Sequence, residues 1–231
     1  MSTDISSATA SELPAQGGKA AGDESLAPQQ VRIMGRFSYL LAWFGGCVAI
    51  GTFTMGSSVV GTLNLIQATL AIAKHHGPVY LRFGRPKVPV FIQPEAPFEI
   101  GKIQRIITGS DVTIAACGHL VWEAVQAALE LAKDGISAEV LNVHTVKPLD
   151  EATLVESAKR TGAVVVAEEH QRLGGLGSSV AQCLASHHPT KMDFVAVEDQ
   201  FGESGTPAQL MAKYGLDAKT IVEKTRALLG R

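Results

Sequence analysis

DVTIAACGHLVWEAVQAALELAKDGISAEVLNV, Asp111 to Val143, is the stretch whose reading decides the fold. It opens on the apolar run VTIAAC (112–117), which is too short for a helix and breaks at Gly118-His119. Val121, Ala124, Val125, Ala128 and Leu131 then recur at the spacing of one helical face, and Gly135 ends that segment. A second apolar run, AEVLNV (138–143), follows at once. Strand, helix and strand in so short a span describe a crossover between parallel strands.

Working toward the C-terminus, the alternation repeats. Asp150 can cap a helix that carries Leu154, Val155 and Ala158 and stops at Thr161-Gly162. AVVVAE (163–168) is the third strand, Leu176 to about Ser186 the third helix, and FVAV (194–197) the fourth strand. Thr206-Pro207-Ala208-Gln209 has the spacing of a capping box with proline at the first helical position. Asp217 caps a last helix whose buried stripe is Ile221, Val222, Leu228 and Leu229. The predicted fold class is α/β, a mostly parallel sheet flanked by helices, over residues 111–231.

Working toward the N-terminus, the pattern weakens. Residues 86–110 contain prolines 86, 89, 94 and 97 and read as a stiff, extended linker. PVYLRF before it is a short strand in which Leu81 and Phe83 face inward and Arg82 faces away. From Phe37 to Ala73 there is no charged residue, and Arg32 and Arg36 precede the segment. That permits a membrane span, but its many Gly, Ser and Thr residues favour a buried or poorly ordered segment. Residues 1–33 are small and polar and read as a disordered tail. They lack the basic start and apolar core of a secretory signal.

Composition narrows the classes. The 231 residues are 46% apolar, enough for one solid core or for one domain plus part of another. With 22 acidic and 20 basic residues and no basic cluster, a nucleic-acid surface is not expected. Cys47, Cys117 and Cys183 are scattered and form no CxxC pair. They read as buried thiols of a reducing compartment, hence a cytoplasmic protein, rather than as a disulfide frame or zinc site.

In an open α/β sheet, ligands sit beyond the carboxyl ends of the strands. Those ends read Cys117-Gly118-His119, His144-Thr145, Glu168-Glu169-His170 and Glu198-Asp199. Histidines and carboxylates on one edge suit a metal or acid/base site, and they equally suit an ordinary exposed edge. AEEHQRLGGLGSS, Ala167 to Ser179, poses the sharpest choice. Gly174, Gly175 and Gly177 precede a helix N-terminus, where free N–H groups favour an anion. The same glycines also serve a tight turn and close packing, and the motif is neither GxGxxG nor a Walker loop.

HHGPVYLRFGRPKVPVF, DVTIAACGHLVWEAVQAALELAKDGISAEVLNVHTVKPLD, VVAEEHQRLGGLGSSVAQ and FGESGTPAQLMAKYGLDAKTIV, in this order and spacing, closely resemble the C-terminal section of transketolase. The likeness is greatest to the split form, whose second subunit holds a pyrimidine-binding domain and a C-terminal domain. It covers about Leu70 to Leu229. The architecture is shared with 1-deoxyxylulose-5-phosphate synthase, so a function of that type is an alternative.

The resemblance implies two-carbon ketol transfer between sugar phosphates, with thiamine diphosphate and Mg²⁺ carrying the chemistry. The GDG…N motif that marks the diphosphate site is absent from this sequence. The family glutamate that hydrogen-bonds the aminopyrimidine should fall in the uncharged Phe37–Ala73 segment, which contains none. Residues 34–85 therefore read as an incomplete pyrimidine-binding domain, with its last helix and strand. The cofactor is expected only in a complete assembly with a subunit carrying the diphosphate-binding domain. Arg82 matches the family arginine that binds the substrate phosphate, and Arg85 is a second candidate. The C-terminal domain is expected to supply dimer contacts, and the AEEHQRLGGLGSS stretch a structural turn near a subunit surface. Glu168 and His170 are candidate rim residues. The chain alone is expected to be inactive, and a catalytically dead fragment acting as an interaction module is the competing reading.

Overall fold

A computed structural model describes residues 63–82, 89–92 and 96–231, all within one compact unit, Gly51–Arg231. The expected tail, most of the Phe37–Ala73 segment, Phe83 and Arg85 lie outside the described residues. Helix α1 spans Leu63–Lys74, and the α/β unit follows as β1 Gln104–Ile107, β2 Val112–Ala116, α2 Leu120–Lys133, β3 Ala138–Asn142 and α3 Glu151–Thr161. It continues as β4 Ala163–Gln171, α4 Leu176–His187, β5 Lys191–Val197, α5 Pro207–Lys213 and α6 Ala218–Leu229.

Among the described residues the sheet runs β1-β3-β2-β4-β5, with β1 antiparallel and the rest parallel. Every residue of β2 and β3 is buried, because helices cover both sheet faces. On one face Val112, Ile114, Val140, Val165 and Val195 pack with Leu120, Val121 and Leu131 of α2 and with Ile221 and Val222 of α6. On the other, Ala115, Leu141, Val164 and Val166 pack with Leu154 of α3 and with Leu176, Val180 and Leu184 of α4. A fully buried leucine of this kind is worth about 2–5 kcal/mol against alanine.

Two strands are longer than their apolar runs predict. β5 begins at Lys191, well before Phe194, because backbone pairing with Ala163 needs no apolar side chain at a sheet edge. β4 continues to Gln171 through a register shift beyond Ala167. The sheet also starts upstream of residue 111. β1 lies inside the expected linker, and its Gln104 and Arg105 pair with Asn142 and Leu141. The linker is docked rather than free: Phe91 packs on Trp122 at 5.4 Å between ring centroids, and Phe98 stacks on His144 at 4.4 Å. Pro78–Arg82, by contrast, is in no strand, and Tyr80 and Leu81 are exposed. A strand needs a hydrogen-bonding edge, and none of the described residues offers one there.

A carboxylate lies wholly inside the amino-terminal end of the sheet. Glu139 on β3 is fully buried. It accepts from Thr113 Oγ1 at 2.9 Å, from Arg105 Nε at 2.6 Å, and from Arg160 Nη2. These partners come from β2, β1 and α3, so one charge ties four elements. A buried charge is tolerable only when paired and hydrogen-bonded in this way.

The predicted caps form. Asp217 Oδ1 accepts the Thr220 N–H at 2.8 Å, and Gln209 Oε1 reaches back to the Thr206 N–H at 3.2 Å. Asp150 caps α3 through Thr153 N at 3.3 Å and also accepts the Ile103 N–H at 3.1 Å, so it holds the segment entering β1. Burial alone would push its carboxyl up, but the bonds from Ile103 and Thr153 prevail and hold it below the usual carboxylate value. Because the folded-state value lies below the unfolded one, the stabilisation is present above the ordinary carboxylate range. It is lost as pH falls through the folded value. Asp150→Ala should cost about 1–2 kcal/mol in urea denaturation at neutral pH. The gap from wild type should narrow when the melts are repeated near pH 3.

Candidate functional site

The carboxyl ends of β2 and β4 lie side by side, with Ala116 opposite Ala167. Strand alternation sorts the residues of β4 into two sets. Val164, Val166 and Glu168 face α3 and α4, whereas Val165, Ala167 and Glu169 face the side of α2. The two adjacent glutamates therefore have unrelated surroundings.

Glu168 does not sit on the rim expected for it. It is buried, 3% exposed, and its carboxylate accepts the Leu176 N–H at 2.7 Å and the Gly177 N–H at 2.8 Å. The glycine-rich helix start is thus an anion site, and the chain itself fills it. The glycines make the approach possible. A Cβ on Gly175 would lie 2.1 Å from Glu168 Oε2, and one on Gly177 would lie 2.7 Å from the Phe194 ring. The stretch is a structural strand-to-helix joint, as the resemblance implied.

Glu169, on the opposite face, belongs to the exposed edge. Its Oε2 lies 3.0 Å from His119 Nδ1, at the entrance to α2. The His119 contact, and then the Arg82 charge, hold the Glu169 carboxyl below its ordinary value against the opposing effect of partial burial. The Glu169 carbonyl oxygen accepts from Arg82 Nη2 at 3.3 Å. Arg82 is exposed, and this contact takes only one of the five N–H donors of a guanidinium. Cys117 lies beside the group, but burial first, then the Glu168 charge, push its thiol up to about 12. It is no thiolate nucleophile at neutral pH.

The other strand-end residues do not join this set. His170 is exposed and its Nδ1 donates to the Gln171 carbonyl at 2.9 Å. His144 is stacked on Phe98, and burial pushes its imidazole down, toward the neutral form. Glu198 pairs with Arg172 at 3.2 Å. The structure thus brings together Arg82, His119 and Glu169, and it separates Glu168 from them. The period-2 alternation of AVVVAEE carries the signal that distinguishes the two glutamates, once it is known which helix covers which face.

The described residues do not fit a thiamine diphosphate and Mg²⁺ site. The helix N-terminus suited to a diphosphate already holds the Glu168 carboxylate, which would repel one. Arg82 would repel a cation, and the Glu169 carboxylate beside it is engaged by His119. What the edge offers is an exposed guanidinium with donors left over beyond its bond to the Glu169 carbonyl.

The joint at Gly175 is directly testable. Gly175→Ala should destabilise the fold by about 2–3 kcal/mol in urea denaturation, because a buried carboxylate must retreat from the N–H groups it satisfies. Gly174→Ala, with open space around the new Cβ but a φ of +84°, should cost about 1 kcal/mol.

Comparison with known proteins supplies the family. Residues 101–221 match the family Transketolase, C-terminal domain. The 6-deoxy-6-sulfo-D-fructose transketolase subunit of a Clostridium species is 46% identical over 173 residues, 74% of this chain and 53% of the relative. An apulose-4-phosphate transketolase subunit of Phocaeicola vulgatus is 38% identical over 145 residues, 62% of this chain and 46% of the relative. A solved structure, a split gene transketolase in an inactive β4 tetramer, superposes with a TM-score of 0.68 at 45% identity, covering 71% of this chain and 55% of that one. The chain spans about half the length of the curated relatives it matches. With the domain match taking in over half of its residues, the chain belongs to the transketolase family.

Proposed function

We propose that this chain works as the C-terminal partner in a two-subunit transketolase-type assembly, which moves a two-carbon ketol unit between sugar phosphates. The observation that carries the reading is Arg82, exposed on the carboxyl edge with Nη2 donating to the Glu169 carbonyl, and its sequence context resembles that of the family arginine that binds substrate phosphate. Similarity to proteins named as transketolase subunits supports the need for a second chain. Thiamine diphosphate with Mg²⁺, when bound in the assembly, supplies the electron sink for carbon–carbon cleavage.

This chain's part is recognition and support. Arg82 donates to the phosphate oxygens of the sugar, with Arg85 as a second donor close in sequence. The α/β unit fixes Arg82 against β4 and contributes subunit contacts. The setting is cytoplasmic. Among the described residues no helix is long and apolar enough to cross a membrane.

The second reading, an interaction module without activity, is favoured by one fact: Phe37–Ala73 contains no glutamate to meet an aminopyrimidine. Isothermal titration separates the two. Thiamine diphosphate with Mg²⁺ should give no heat with the chain alone and should bind once a diphosphate-domain subunit is added. If the mixed subunits also stay silent, the module reading stands. In an active assembly, Arg82→Ala should raise the KM for a phosphorylated acceptor about 10- to 100-fold, as expected for losing a charged hydrogen bond. kcat should change much less, and an unphosphorylated acceptor should not be affected.

A further inference from the structure

Away from the carboxyl edge, three metal-ligating side chains converge between α3 and α4. Glu151 is the first residue of α3, and Cys183 and His187 stand one turn apart on α4. One ligand atom from each lies within 4.8 Å of the others, and His187 Nε2 is 3.9 Å from Glu151 Oε2. In a tetrahedral zinc site, bonds of about 2.0–2.3 Å place neighbouring ligand atoms about 3.5 Å apart. A shift of about 1 Å by the two exposed arms, Glu151 and His187, would close that gap onto the buried thiol.

The histidine is already oriented for ligation. Its Nδ1 lies 2.9 Å from the Cys183 carbonyl oxygen, an acceptor only, so the ring N–H is there. Nε2 is turned to the side of Glu151. Metal-binding histidines are held in this manner, with the second ring nitrogen donating to a carbonyl or carboxylate. All three residues line one cavity of about 630 Å³, together with Lys147, Ser179 and Gln182.

We infer that Glu151, Cys183 and His187 form a three-ligand site for a zinc-class transition-metal cation, with its fourth position open to this cavity. The donor set selects the metal: a thiolate and an imidazole suit Zn²⁺ or Co²⁺ and not the all-oxygen shells of Mg²⁺ or Ca²⁺. On binding, the metal–sulfur bond replaces the S–H bond of Cys183, and the proton passes to solvent. The site is independent of ketol transfer, and it would clamp α3 to α4 across their outer ends.

The test uses the full chain, stripped with a chelator and titrated with Co²⁺. The expected result is one equivalent bound, with a thiolate-to-cobalt charge-transfer band in the near ultraviolet that Zn²⁺ abolishes by displacement. Cys183→Ser should remove the band, while Cys117→Ser should leave it. Because Cys183 is buried and its variant could misfold, His187→Gln and Glu151→Gln serve as surface controls, and each should weaken binding at least about tenfold. Absence of a one-equivalent charge-transfer band in the folded wild-type chain would overturn the proposal. So would a band that survives at full strength in the folded His187→Gln and Glu151→Gln proteins.

Discussion

The carboxylate of Glu168 against the first N–H groups of α4 is the contact on which the arrangement of this domain turns. A helix that begins under a sheet edge leaves N–H groups that water cannot reach, and something must accept from them. Here β4 delivers the acceptor from its own end, and Gly175 and Gly177 remove the side chains that would obstruct it. The helix dipole and the buried charge offset one another. The same act disposes of an apparent phosphate loop: a site that looks open in sequence is occupied by a residue a few positions upstream.

At the opposite end of the sheet Glu139 plays a comparable part with different partners. Arg105 and Arg160 compensate it, and Thr113 takes a remaining lone pair. Glu168 is thus answered by helix N–H groups and Glu139 by guanidinium groups, at opposite ends of the sheet. Between them the core is aliphatic. The His119–Glu169 pair, a half-buried imidazole against an exposed carboxylate, stands just outside this frame.

Most of the domain from residue 111 onward was legible in the sequence, because its strands are continuous apolar runs and its helices carry stripes and caps. Asp150, Asp217 and Gln209 act as their spacing predicts. β1 was not legible, since QRII is short and follows a proline-rich stretch; pairing with β3, not local preference, makes it a strand. The start of β5 at Lys191 was hidden for the same reason. The site was legible only in part. Arg82 came from the family likeness, and its partner is a backbone atom that no residue type announces. Glu168 and Glu169 were placed on one edge together, but which of them is exposed depends on which helix covers which face. Cys183 and His187 are one helical turn apart, but Glu151 comes from another helix, so sequence spacing alone does not bring the three together.

The bond from Arg82 to the main-chain carbonyl of residue 169 has an evolutionary side as well. An acceptor that belongs to the backbone survives any replacement of the side chain at that position. Over many generations residue 169 could drift while the arginine keeps this anchor, so the hydrogen bond itself would leave no trace of correlated change. Comparison of sequences would then overlook one of the physical links between the two parts of this chain, and only the path of the backbone would disclose it.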